Sequence, residues 1–176
     1  SGGNGTNIDP YIIKTTSDLD RVREALTSCF VLERDLNFSD SDFQEGGAFF
    51  NDGKKWIAIG DGNPNYTPEN YPFVGKLDGN GKTIRGIHNQ RGGGVFAVSE
   101  GTIQNLSIEE FHIEGVSNAV GCFAGANRGL IEFCNSKSDL SVTCESNYWD
   151  DVGGIASYNY GTIRNCTNTG DIDRKS

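Results

Sequence analysis

The sequence predicts an all-β fold of stacked, repeating coils, a β-solenoid, with an N-terminal cap that contains one short helix. Three observations predict it. Glycine is abundant, 24 of 176 residues against 4 prolines and no methionine, far above ordinary usage and without a collagen period. Glycine at that density marks tight turns between short elements. The apolar residues favour Ile, Val and Phe, which suit pleated surfaces, and from residue 75 onward the chain repeats itself.

The segment 1–38 reads as the cap. Pro10-Tyr11-Ile12-Ile13-Lys14-Thr15 has the composition of a short strand. Ser17 is the expected N-cap of a helix over 17–27, with Asp18 and Asp20 in the first turn, where the helix dipole favours acids. Leu19, Val22, Ala25 and Leu26 fall on one face of that helix. The segment 29–36 reads as another strand. A stack of coils needs its first sheet edge and exposed core covered, which is the role expected of this segment. The segment 39–72 reads as an insertion rich in Asp, Gly and Pro, with one short strand at Trp56-Ile57-Ala58-Ile59. A loop of that length is expected to pack on the body or to bind something. The segment 73–176 holds the repeats, and the whole chain is expected to be one continuous domain.

Four copies of one element recur: Thr83-Ile84-Arg85-Gly86-Ile87, Thr102-Ile103-Gln104-Asn105-Leu106, Leu130-Ile131-Glu132-Phe133-Cys134 and Thr162-Ile163-Arg164-Asn165-Cys166. They follow Gly81, Gly101, Gly129 and Gly161, with successive steps in sequence number of 20, then 28, then 32. A second element, beginning at Gly93, Gly121 and Gly153, precedes the last three copies at the matching steps of 28 and 32. One such unit cannot bury its own apolar residues, whereas stacking at the ~4.8 Å strand spacing pairs each backbone with its neighbours. The expected core ladder is Ile84, Ile103, Ile131 and Ile163 in one column, and Ile87, Leu106, Cys134 and Cys166 in another.

The net charge of −9, from 24 acidic and 15 basic residues, argues against nucleic acid and anionic membranes as partners. No apolar run reaches the ~20 residues of a membrane span. Five cysteines with no CxxC pair argue against a zinc cluster and against a complete disulfide framework. Cys134 and Cys166 read as buried core thiols, with a stacked disulfide between them as the alternative. The run Gly79-Asn80-Gly81-Lys82-Thr83 lacks the first glycine of a phosphate loop, because position 76 is lysine, and reads as a turn with positive φ. The two histidines, His88 and His112, lack HExxH spacing, and no GxSxG elbow occurs. The sequence therefore predicts no catalytic residue, no cofactor and no metal. Asn4, Asn37, Asn65, Asn105 and Asn165 begin N-x-[ST] sequons, which matter in a glycosylating host.

Gly153-Gly154-Ile155-Ala156-Ser157-Tyr158-Asn159-Tyr160-Gly161-Thr162-Ile163-Arg164-Asn165-Cys166 closely resembles the GLUG repeat of bacterial surface proteins. The run 73–84 resembles the lead-in to such repeats. The departures are Leu130 for Thr and Phe133 for Asn in the middle copy. The resemblance implies a right-handed parallel β-helix in a secreted or cell-surface protein, of the kind found in adhesins and in the non-catalytic regions of immunoglobulin-A-cleaving metallopeptidases. It brings no catalytic residues. The expected role is a non-catalytic adhesive, ligand-binding or spacer segment, and the alternative is a polysaccharide lyase or hydrolase. Expected partners are a host protein or glycan and further repeats of the same chain. Tyr148, Trp149, Asp150 and Asp151, with Tyr158 and Tyr160 near them, are the candidate binding residues, because aromatics beside carboxylates suit a sugar's face and hydroxyls.

Overall fold

The computed structural model describes residues 2–60, 71–90, 92–113, 119–143 and 151–175. The chain opens with β1 (Tyr11–Ile13) and a short helix α1 (Thr16–Asp20), continued by a 3-10 turn over Arg21–Glu24. The N-cap is Thr15, not Ser17: its hydroxyl accepts from Asp18 N at 3.1 Å, while Asp18 Oδ2 accepts from Thr15 N at 3.0 Å. That reciprocal pair satisfies two amide donors at once, which Ser17, already inside the helix, does not do. The helix also stops short of residue 27, since Ala25 leaves helical geometry to feed the next strand. Leu19, Val22 and Leu26 are buried beneath it.

The strand β2 (Cys29–Leu32) pairs parallel with β1, and the short β3 (Leu36–Asn37) follows. The insertion after it packs through aromatic rings. Phe38 lies 5.6 Å from Phe43, 5.1 Å from Phe49 and 5.6 Å from Trp56, centroid to centroid. Trp56 is fully buried, donates from Nε1 to Val95 O at 3.3 Å and lies under the Arg23 guanidinium. The strand expected at Trp56–Ile59 does not form. Trp56 and Ile59 are both buried, and Ile57 and Ala58 between them are not. That spacing breaks the period of two that a strand requires, so the segment makes only a single parallel bridge, Ile59 to Phe96.

The remaining strands are β4 (Lys76–Arg85), β5 (His88–Asn89), β6 (Phe96–Ser99), β7 (Thr102–Glu109), β8 (His112–Ile113), β9 (Ala119–Gly121), β10 (Ala124–Asn127), β11 (Leu130–Glu132), β12 (Asn135–Lys137), β13 (Leu140–Thr143), β14 (Asp151–Gly153), β15 (Ala156–Asn159), β16 (Thr162–Arg164), β17 (Thr167–Asn168) and β18 (Ile172–Lys175). Every pairing between these strands is parallel. The main sheet runs β1-β2-β4-β7-β11-β16, and a second runs β15-β10-β6. The fold is all-β, with parallel sheets and one short α-helix, in a β-helix-like arrangement.

Register is the informative feature. Ala119 faces Asp151, Ala124 faces Ala156, Leu130 faces Thr162, Asn135 faces Thr167 and Leu140 faces Ile172, so all five pairs share a sequence offset of 32. One winding earlier, Phe96 faces Ala124, Thr102 faces Leu130 and Ser107 faces Asn135, all offset by 28. The sequence-derived step of 20 is corrected. Lys76 faces Thr102 and Leu77 faces Ile103, an offset of 26, and a bulge between Asp78 and Lys82 then reduces it to 24. Two glycines, Gly75 and Gly81, precede similar runs, and the register uses the first: Gly101 packs against the Gly75 carbonyl, with no room for a side chain. The second sits at the bulge, where Asn80 and Gly81 both have positive φ.

Candidate functional site

The inward columns follow from that register. Phe30, Leu77, Ile103, Ile131 and Ile163 stand opposite one another in turn. The first four are buried and Ile163 is partly buried against the same core. Each fully buried aliphatic side chain contributes roughly 1.5–3 kcal/mol. Ile84 is not in this column. The bulge moves it opposite Leu36 and Ile108, in a column that continues to Ser136. Ile87 likewise leaves the expected second column: it is buried beyond the Gly86 turn, and its carbonyl accepts from His112 N at 2.8 Å. Leu106, Cys134 and Cys166 occupy equivalent places, flanked by paired neighbours at offsets of 28 and 32.

Both thiols are free and point inward. Cys134 Sγ lies 3.7 Å from Ile103 O, and Cys166 Sγ lies 3.6 Å from Ile131 O, each against the preceding winding. Burial pushes the Cys134 thiol up to about 12 and the Cys122 thiol up to about 11. Neither is a thiolate nucleophile near neutral pH.

The candidate binding residues divide. Tyr148, Trp149 and Asp150 lie outside the described residues. Asp151 begins β14, exposed, and its backbone carbonyl accepts from Ser157 Oγ at 2.8 Å. Tyr158 and Tyr160 stack, with centroids 6.2 Å apart and planes 19° from parallel, and Tyr160 is 71% exposed. His88 and His112 stand opposite each other in β5 and β8 with rings 4.6 Å apart, and Asp40 Oδ1 lies 3.2 Å from His88 Nε2.

Two features escaped the sequence reading. The first is an inner amide rung, in which Asn127 Nδ2 donates to Asn159 Oδ1 at 2.7 Å while Asn127 is fully buried. Its signal was available, because the two asparagines end equivalent elements one winding apart. The second is a set of alternating outward columns. Arg85 Nε meets Glu109 Oε2 at 2.8 Å and Glu109 faces Lys137, while Gln104 donates to Asp78 and Arg164 pairs with Glu132 at 2.7 Å. Surface pairs of this kind are worth under about 1 kcal/mol each, and a register slip of one or two places would break them. These carboxylates face basic or amide partners on the next winding and do not converge on a cleft.

An outer turn column completes the inventory. Asn105, Phe133 and Asn165 all have φ of 53°, and they occupy the same place in successive windings. Beside them lies an open groove of about 410 Å³, bordered by Phe133, Asn80, Asn105 and Asn135.

Parallel windings with a shared apolar interior, and no converging acids among the described residues, define a β-helix-like, repeat-built protein. This chain carries the GLUG motif, which matches residues 151–173. It is 32% identical over 140 residues to a candidate Gly-rich membrane protein of Evansella cellulosilytica, a match covering 75% of this chain and 15% of that protein. It is 31% identical over 179 residues to halomucin of Haloquadratum walsbyi, covering 97% of this chain and 2% of that protein. The fold is similar to that of a candidate immunoglobulin A1 protease from Bacteroides ovatus, with a TM-score of 0.57 at 18% identity, over 96% of this chain and 59% of that one. The chain thus spans a small part of the two curated relatives and about three-fifths of the solved structure. Among the described residues no helix is long and apolar enough to cross a membrane.

Proposed function

We propose that this chain is a segment of a right-handed parallel β-helix in a secreted or cell-surface protein, where it acts as a rigid, non-catalytic spacer that presents adhesive surfaces. The observation that carries this reading is the sequence offset of 32 common to five separate strand pairs. An interior built that way extends by whole windings without redesign. The right-handed sense is the one parallel crossover connections take almost without exception. The long relatives, one named a Gly-rich membrane protein and one named halomucin, support a place at the surface. The outward carboxylates, spent in pairs between windings, support a structural use of charge rather than a catalytic one. In this reading the segment 1–38 caps the stack, 39–72 is an insertion whose aromatic part, Phe43 to Trp56, packs on its side, and 73–176 is the body of one domain. Host proteins, glycans and further repeats are its expected partners.

Inserting four extra copies of the segment 129–160 tests the proposal. Each copy should add one winding of ~4.8 Å, so small-angle scattering should report a particle about 19 Å longer with unchanged cross-section. Loss of the fold, or growth in girth rather than length, overturns it.

A further inference from the structure

Phe133 breaks the pattern of its own column. Positive φ is common for asparagine and rare for a bulky residue, and the equivalent residues one winding to either side are Asn105 and Asn165. Asn105 offsets its conformation with a hydrogen bond from Nδ2 to Asp78 Oδ1 at 3.1 Å. The Phe133 ring has no polar atom to do the same, and packing does not compensate, because the residue is 53% exposed. Strain kept at an exposed aromatic residue points to a use beyond stability.

The ring borders the 410 Å³ groove, which is also lined by Asn80, Gly81, Asn105, Leu106, Ser107 and Asn135, so its polar side chains are three amides and one hydroxyl. Each amide is held at one atom. Asn80 Nδ2 donates to Leu32 O at 3.3 Å, Asn105 Nδ2 to Asp78, and Asn135 Oδ1 accepts from Thr167 Oγ1 at 2.7 Å. Among the described residues, Asn80 Oδ1, Asn105 Oδ1 and Asn135 Nδ2 have no protein partner, so two carbonyl acceptors and one whole NH2 donor group remain available. Among the described residues no charged side chain lines the groove, although the chain carries a net charge of −9. Phosphate or a uronic acid would find no cation there, and the Asp78 carboxylate behind Asn105 would repel it.

We propose that this groove binds a neutral oligosaccharide, with the Phe133 ring against the C–H face of one sugar and the Asn80, Asn105 and Asn135 amides on its hydroxyls. An aromatic platform flanked by directional neutral polar groups matches a sugar's alternation of apolar face and hydroxyl edge. This goes beyond the spacer reading, and a spacer with an empty groove would survive its failure.

The test is a titration of the ¹⁵N-labelled chain with neutral hexose and N-acetylhexosamine oligosaccharides, with oligogalacturonate as the anionic comparison. Binding should shift the side-chain amide signals of Asn80, Asn105 and Asn135. Phe133→Asn restores the column's own residue and should fold at least as stably, yet it should weaken binding about tenfold or more. Phe133→Tyr keeps the platform and should stay within about threefold of the parent. The proposal is overturned if no neutral oligosaccharide moves these signals at millimolar concentration, or if shifts fall only around Tyr158 and Tyr160. Tighter binding of oligogalacturonate, or undiminished binding by Phe133→Asn, overturns it equally.

Discussion

The corner at Gly101, Gly129 and Gly161 and the corner at Asn105, Phe133 and Asn165 both look like turns in the sequence, but space fixes the first and backbone conformation the second. At the glycine corner a Cβ would sit inside the carbonyl of the preceding winding: Gly75 for Gly101, Gly101 for Gly129, Gly129 for Gly161. None of these three glycines needs a left-handed backbone. At the asparagine corner the backbone is left-handed, at φ of 53°, and the outside is open groove. One corner therefore rejects any side chain, while the other accepts even phenylalanine at the expense of strain. A repeat tolerates drift at its open corner and not at its closed one.

Gly129→Ala gives the largest expected effect. The new methyl meets the Glu100 and Gly101 backbone of the preceding winding, and unfolding in urea should show a loss of about 3 kcal/mol or more. A loss under about 1 kcal/mol would mean that the windings are not in contact there. Gly81→Ala is the matched control. Nothing lies within 4 Å of its Cβ position, but φ is 71°, so it should cost only about 1 kcal/mol.

The inner side of the open corner is probed by pH. Cys134 follows Phe133 directly, and its thiol titrates at about 12 in the folded chain against an ordinary value of 9.0; Cys122 does so at about 11. Above pH 9 the unfolded chain releases these protons while the folded chain keeps them. Stability should thus be fully present below pH 9 and fall as pH rises beyond it, by up to about 1.4 kcal/mol per pH unit for each thiol. Cys134→Leu, which copies Leu106 of the preceding winding, should remove Cys134's share of that slope. An identical slope in the variant would show that the interior behind this corner is wet.

The smallest effect has the opposite sign. Phe133→Gly relieves the left-handed strain without removing a buried contact, and should raise stability by about 1 kcal/mol in the same urea assay. Destabilisation would show that the exposed ring supports the fold after all.

Much of this was legible in the sequence because both repeated elements carry their own register marks. The copies starting at Gly101, Gly129 and Gly161 each place an isoleucine two places on, and Ile103, Ile131 and Ile163 stand opposite one another in the structure. The reading slipped where the marks were duplicated. Thr83-Ile84 resembles Thr102-Ile103 as a string, but the bulge after Asp78 decides which isoleucine meets which. The helix cap slipped for a similar reason: Ser17 is by type the slightly better cap, and only the reciprocal Asp18 contact selects Thr15. The candidate site was the least legible part. Phe133 was visible as a departure from the repeat, which aligns it with Asn105, but Asn80 joins the same groove only through the bulge that sets the register of the first windings.

By itself the sequence determined the stacked, repeat-built character of this protein, because one glycine-and-isoleucine element recurs along the chain and a single unit cannot bury its own apolar side chains. Only the tertiary structure decided the register of the first windings, the fate of the aromatic insertion and the groove beside Phe133. Each of those depends on which backbone atoms lie one strand spacing apart, and that distance is set between windings rather than along the chain.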